Sequence, residues 1–397
     1  MNYFEKLKKV DRDSIIFNIK NVSHSIVNSL RRIILSEITT IKFRTEPHEK
    51  SDVMIKTNNC CLHNEFLAHR IGLIPINVEN VEDFNIEEYI FKLKVKNNTN
   101  KIIKVTSENF KVFFYSPDGE KEITNHNMFP PDPLTGEHIL ICILKPNLSD
   151  IENGEEIDIE CKPSISNGIE NAGYSPVSKS VFYNTVDEKK SEKELKSLLK
   201  TENLSEEDKK SIILNFSNHE KFRHYMTNKF GEPNHFTFEI ESIGVLKPEN
   251  IFKKSISLLK NKIQLFSINI NSQNNEYIEI VKSNTIINAV DINIHNEDHT
   301  LGNLLQSYLF SVFVREKKKI KYVGYKEIHP LKNTICLRVQ PELNEGEDII
   351  ESSIKYLKDI SKHIISILNE MEKEWILLKS EVPREINKGK VVILKKK

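Results

Sequence analysis

The chain lacks a long apolar run: nothing in its 397 residues approaches the roughly 18 consecutive apolar residues that span a bilayer. Its opening, MNYFEKLKKVDRD, carries charge throughout, so neither a signal peptide nor a membrane span is expected. An excess of one charge is also missing. Lys plus Arg and Asp plus Glu both number 57, so no global positive field would hold phosphates, and any service to nucleic acid would run through partners. Cysteine is sparse, and Cys60, Cys61, Cys142, Cys161 and Cys336 form no regular framework. That points to a reducing compartment: cytosolic, nuclear or inside a particle. Nor is there a glycine-rich phosphate loop, an HExxH motif or the clustered aspartates of a two-metal site. The usual sequence signs of nucleotide and metal-dependent catalysis are therefore absent.

What is present is a globular composition, 38% hydrophobic, too apolar for a disordered chain. The length exceeds what one core usually supports, so two or three domains are expected. Lys, Asn and Ile dominate, a bias that suggests an AT-rich genome and says nothing of chemistry. The strongest internal signal is a repeat. Residues 17–35, FNIKNVSHSIVNSLRRIIL, superpose without a gap on residues 292–310, INIHNEDHTLGNLLQSYLF, at a constant offset (293 − 18 = 275). Asn18/Asn293, Ile19/Ile294, Asn21/Asn296, His24/His299, Asn28/Asn303 and Leu30/Leu305 are identical pairs.

Each copy changes period midway. Ile15, Phe17 and Ile19 alternate, as do Val290, Ile292 and Ile294, which predicts half-buried strands. Ile26, Leu30, Ile33, Ile34 and Ile38, and Leu301, Leu304, Leu305, Tyr308 and Val312, then fall at helical spacing. Ser23 or Ser25, and Asp298 or Thr300, supply candidate N-caps. A looser second pair repeats strand then helix. Phe236, Phe238 and Ile240 precede a helix bearing Phe252, Ile256, Leu259 and Ile263; Ile335, Leu337 and Val339 precede one bearing Ile350, Ile354, Leu357, Ile364, Leu368, Met371 and Trp375. One such strand-and-helix layer cannot cover its own apolar stripe well, whereas two copies can cover each other. The expectation is an intramolecular pseudo-two-fold pair joined by Ile26, Leu30, Ile33 and Ile34 against Leu301, Leu305, Tyr308 and Leu309. Tethering sets their mutual concentration at roughly millimolar, and no homo-oligomer is needed.

The first half carries two additions. Residues from about 77 to 170 hold strand-like runs broken by SPDGE and FPPDPLTGE, as expected of an embedded, mostly β domain. Residues 187–232 are highly charged, as in short surface helices, and SININSQNNE at 267–276 lacks helical periodicity and reads as a linker.

NSLRRIILSEI at 28–38 and NEFLAHRIGLIPI at 64–76 resemble the signatures of the D-type component of archaeal RNA polymerase, of subunit 3 of eukaryotic RNA polymerase II and, more distantly, of bacterial alpha. NGIENAGYSPVSKSVFYN at 167–184 and FEIESIGVLKPENI at 238–251 extend that likeness; NEDHTLGNLL at 296–305, YVGYKEIHPL at 322–331 and LRVQ at 337–340 resemble the archaeal L-type component or eukaryotic subunit 11. The resemblance implies an α+β fold of two alpha-type dimerisation modules, each an antiparallel sheet with two helices. Residues 1–76 and 171–266 would form the first module, with 187–232 as a charged insertion and 77–170 as the insert domain. A linker at 267–277, a second module at 278–380 and a basic tail at 381–397 complete the division. The function implied is a non-catalytic assembly platform of a DNA-directed RNA polymerase. Its partners would be the largest and second-largest subunits and small zinc-bearing subunits of the ten and twelve kind, with DNA reached only through the complex. The fused arrangement is similar to that of large nucleocytoplasmic DNA viruses, which implies virion and host cytoplasm; otherwise the nucleus or cytoplasm is expected. A scaffold outside the polymerase and a direct nucleic-acid binder are the alternatives.

Several side chains admit two readings. Either Arg31 and Arg32 are a solvated basic face or, as the resemblance implies, one of them is a fork that binds a carboxylate or backbone carbonyl of the second-largest subunit. His69, Arg70, Gly72 and Pro75 mark either a helix end and turn or a partner contact. Cys60, Cys61, His63 and His69 look like a metal cluster, but adjacent residues of an extended strand face opposite ways. The zinc or iron–sulfur cysteines of some family members have only Cys142 and Cys161 as counterparts, too few for a structural zinc; no metal or other cofactor is expected. His24 and His299 read as capping or packing groups. Asp298, His299 and Thr300 lie too close around one helix start to form a catalytic triad.

Overall fold

The computed structural model describes residues 2–116, 119–123, 125–147, 154–200, 205–272, 276–343 and 346–381. It opens with a hairpin, β1 (Phe4–Lys9) and β2 (Ser14–Lys20), in which Ile15, Phe17 and Ile19 are buried on one face. Asn21 ends the strand with φ of 60°, a left-handed conformation that asparagine tolerates because its amide can bond locally. α1 (His24–Ser36) follows, burying Ile26, Val27, Leu30, Ile33 and Ile34. Ser23 occupies its N-cap without making the capping bond, its hydroxyl meeting that of Ser25 at 2.5 Å instead.

The chain then leaves this layer through β3 (Thr40–Lys42), β4 (Val53–Asn58) and α2 (Asn64–Gly72). Six strands succeed them: β5 (Tyr89–Lys96), β6 (Ile103–Thr106), β7 (Phe110–Ser116), β8 (Gly119–Ile123), β9 (Leu140–Leu144) and β10 (Glu156–Cys161). β11 (Ser164–Ser166) returns beside β3, and β12 (Val177–Asn184) rejoins the first sheet. Charged helices α3 (Glu188–Leu199) and α4 (Glu206–Asn218) precede β13 (His235–Ser242) and the long α5 (Pro248–Ser272). The second half runs β14 (Ile278–Lys282), β15 (Val290–His295), α6 (His299–Leu309), β16 (Ile320–His329), β17 (Lys332–Pro341) and α7 (Ile349–Glu381). Asp298 caps α6 through the Thr300 N–H at 2.8 Å, and a π-helical turn, Phe310–Glu316, extends that helix.

The fold is α+β. One antiparallel sheet has the order β1-β2-β13-β12 and another β14-β15-β17-β16, the same connectivity read twice. Asn296, at the place of Asn21 in the second copy, has φ of 59°, so the identical asparagines serve the same strand-to-helix turn. Between the sheets, α1 packs on α5 and α6, and α7 packs on the same two helices, closing a four-helix layer. The long helices overreach their own halves. Trp375, late in α7, lies among Phe4, Phe17 and Phe252 at ring distances of 5.1, 4.7 and 4.5 Å and donates to the Glu249 carbonyl at 3.0 Å. A single apolar cluster thus runs from Tyr3 to Trp375 through both halves.

A second core lies under the five-stranded sheet β4-β10-β5-β7-β8. It takes in Ile41, Phe43, Leu67 and Ile71, so β3, β4 and α2 pack with the strands of the expected insert. The pairing of β4 with β10 is remote in sequence, and local pattern cannot announce it. The expected linker is also revised: α5 continues through Ser272 because Ile263, Phe266 and Ile270 prolong its buried stripe. Residues 273–275 of that linker, part of SPDGE and the basic tail beyond Glu381 lie outside the described residues.

Candidate subunit interface

The join between the halves is apolar at its centre. Ile26, Leu30, Ile33, Ile34, Leu301, Leu305 and Leu309 are wholly buried, and Tyr308 nearly so, in the one cluster. Burial pushes the Tyr308 hydroxyl up to about 12, although hydrogen bonding with Ser23 opposes this. α1 meets α6 here, but α5 on α7 makes the more extensive join, a contact that the repeat alone did not single out because these helices match only loosely.

Polar contacts frame this centre. Arg32 donates through Nε to the Thr300 hydroxyl at 2.9 Å and through a terminal nitrogen to Asp298 at 2.7 Å. Hydrogen bonds from Thr300 and the guanidinium hold the Asp298 carboxyl below its usual range although burial opposes this. The Ser29 hydroxyl donates to the Thr300 carbonyl at 3.2 Å. On α5, Lys262 bridges Glu37 at 3.0 Å and Glu297 at 3.1 Å, and the Tyr277 hydroxyl donates to Glu297 at 2.8 Å. Burial pushes the Glu297 carboxyl up despite these partners, whereas the two carboxylates outweigh desolvation to raise Lys262. Arg32, read from the sequence as a possible fork for another subunit, grips the second half of its own chain while its side chain stays 35% exposed. Arg31 bonds Asn28 on its own helix at 3.1 Å and stays partly exposed.

α2 presents the outward surface. Leu67 and Ile71 bury one side, while Phe66 and Leu73, seven residues apart, are 67% and 53% exposed. His69 lies on the exposed side with them and shares a small depression with Leu73, Arg44, Glu170 and Tyr174. Arg70 is tied down, donating to the Ile141 and Leu140 carbonyls at 2.8 Å each, so it fastens α2 to β9. Gly72 is a packing position: a Cβ there would come 2.7 Å from the Thr45 methyl. Pro75 is partly exposed. The sequence pattern singled out neither Phe66 nor Leu73, although their spacing, out of phase with Leu67 and Ile71, marks a second apolar face.

The remaining motifs are dispersed. Cys60 and Cys61 lie in a bend beyond β4 rather than in a strand, the first half-buried and the second exposed; Cys142, Cys161 and Cys336 are buried. Burial and the neighbouring Cys60 push the Cys142 thiol up to about 12. His24 sets its ring against Phe182 and Phe236, and His299 lies 3.3 Å from Glu327 beside Tyr325. Both rings pack against aromatic neighbours.

Comparison with known families and proteins bears on this geometry. Residues 16–263 match the RNA polymerase Rpb3/Rpb11 dimerisation domain, and residues 289–374 match a second description of that domain. Among curated proteins, a conjugation stage-specific protein of Tetrahymena thermophila is 26% identical over 311 residues, covering 66% of this chain and 93% of its own length. The DNA-directed RNA polymerases I and III subunit rpac1 of Dictyostelium discoideum is 28% identical over 289 residues, 65% of this chain and 79% of that protein. The RNA polymerase II subunit rpb3 of the same organism is 35% identical over 79 residues, 20% and 24% of the two chains.

Proposed function

The chain belongs to the RNA polymerase Rpb3/Rpb11 dimerisation-domain family, and on that premise we propose that it is a non-catalytic assembly platform of a multisubunit DNA-directed RNA polymerase, joining in one polypeptide the roles of two subunits. The observation that carries this reading is the continuous apolar cluster through both family-matched halves. An interface of that kind supplies rigidity and shape, not chemistry, and so suits a seat for larger neighbours.

In this reading the first module consists of the β1-β2-β13-β12 sheet with α1 and α5, and the second of the β14-β15-β17-β16 sheet with α6 and α7. The insert carries the docking helix. Phe66 and His69 on α2 and Leu73 at its C-terminal cap form the contact for the second-largest subunit, with Arg70, Gly72 and Pro75 setting the helix's position; of the arginine pair, Arg31 bonds on its own helix rather than across the seam and serves the outside partner. The largest subunit and small zinc-bearing subunits join the same platform, and DNA is reached through them. The fusion of two subunit types, together with the AT-rich composition, favours a large nucleocytoplasmic DNA virus as source, with work in the virion and host cytoplasm.

The test is to purify the tagged chain from its source and identify what accompanies it. The two largest polymerase subunits are expected with the wild type. Phe66→Glu combined with Leu73→Glu should retain the wild-type circular dichroism while losing at least about tenfold of the second-largest subunit, since buried apolar anchors dominate such contacts. Purification without either large subunit would defeat the proposal.

A further inference from the structure

We infer that the polar frame of the seam is a pairing key that admits only the opposite half and rejects a second copy of the same half. The repeat makes the argument possible, because the seam residues in and around α1 and α6 have counterparts 275 positions away. Arg32 corresponds to Ser307, Asp298 to Ser23, Thr300 to Ser25, Glu297 to Val22 and Glu37 to Val312. The apolar centre is nearly alike in the two copies, Leu30 facing the same cluster as Leu305, and would accept either partner. The charges differ at each framing position.

In a pair of first halves, the two-fold would set Arg32 against Ser23 and Ser25, twice, with no carboxylate to receive it. In a pair of second halves, Asp298 and Thr300 would meet Ser307, and Glu297, only 7% exposed, would have lost Lys262. Each arrangement leaves a charge without its counterion, the partly exposed Arg32 in the first case and the buried Glu297 in the second, which disfavours a pair more than a neutral mismatch does. In the observed pair every one of these groups is matched: Arg32 with Asp298 at 2.7 Å and Lys262 with Glu37 and Glu297 at 3.0 and 3.1 Å. The insertion adds a contact of the same one-sided kind. Glu232 at its end binds Arg315 of the second half at 2.6 Å, with the guanidinium 4.6 Å over Phe230, and the counterpart of Arg315 in the first half is Thr40. The key keeps two copies of the chain from cross-pairing through like halves.

The test uses the full chain in four forms: wild type, Arg32→Asp, Asp298→Arg and the double exchange, with Arg32→Ser as a milder control. Size-exclusion chromatography with light scattering across a wide concentration range reads the assembly, and far-UV circular dichroism checks the fold. Wild type should remain a monomer. Each single reversal sets like charges across the native seam while leaving like-half pairing no worse, so each should form dimers with concentration, Arg32→Ser to a smaller degree. The double exchange restores opposite charges and should return to the monomer. Single reversals that stay monomeric at every concentration, or a double exchange as dimeric as the singles, would overturn the inference.

Discussion

Lys262 shows how one side chain can hold two segments that the sequence keeps far apart. It is the cation of two carboxylates, Glu37 at the end of α1 and Glu297 ahead of α6, and the side chains of both Lys262 and Glu297 are more than four-fifths buried. Replacing it by methionine fills the volume but strands both carboxylates. The expected loss is about 3–5 kcal/mol of unfolding free energy at neutral pH, the usual result of breaking a buried ion pair on one side. The pH dependence has a definite sign. Glu297 is already raised by burial, and without the ammonium it rises further, so the folded variant binds a proton more tightly than the unfolded one. Its deficit against wild type should shrink as pH falls from neutral through the raised folded pKa towards the ordinary glutamate range. Denaturant unfolding of both proteins from pH 7.5 to 4.5 checks this; a deficit constant with pH would refute it.

At the scale of elements, the join between helix and sheet depends on a glycine. Gly302 in the first turns of α6 lies so close to the second sheet that a Cβ would come 2.7 Å from the Tyr325 ring and 3.1 Å from the Ile335 side chain. Both neighbours are held by strands β16 and β17, so an added methyl must push the helix outward. Gly302→Ala gains helix propensity of about 1 kcal/mol, yet overpacking is expected to prevail with a net loss of about 1–2 kcal/mol. The same change at an exposed helical site would stabilise. Thermal unfolding decides between the signs, and a raised Tm would show that the sheet yields. In the sequence this glycine sat inside a helical pattern, in NEDHTLGNLL, with nothing local to say what it packed against.

For the whole molecule, the decisive property is that one core crosses the halves while a short connection links them. The long helices reinforce this reciprocally: α7 places Trp375 among aromatic rings of the first half, and α5 brings Lys262 to Glu297 of the second. Cutting the chain between Ser272 and Glu276, at an introduced protease site, should therefore leave the two fragments together at micromolar concentration. Only then should stability vary with concentration, because the tether no longer sets the local concentration at roughly millimolar. Gel filtration of the cut protein tests this, and fragments that separate at once would show that the seam does not hold by itself. The sequence by itself determined the α+β class, the duplication, the strand-to-helix turns at Asn21 and Asn296 and the apolar stripes, because periodicity and backbone preference act over a few residues. Only the tertiary structure decided that β4 and α2 pack with the insert, that α5 runs on to Ser272, that Arg32 turns inward while Phe66 and Leu73 face out, and that Lys262 finds two carboxylates. Those outcomes depend on which remote surfaces meet, and a partner's distance along the chain leaves no trace in local spacing.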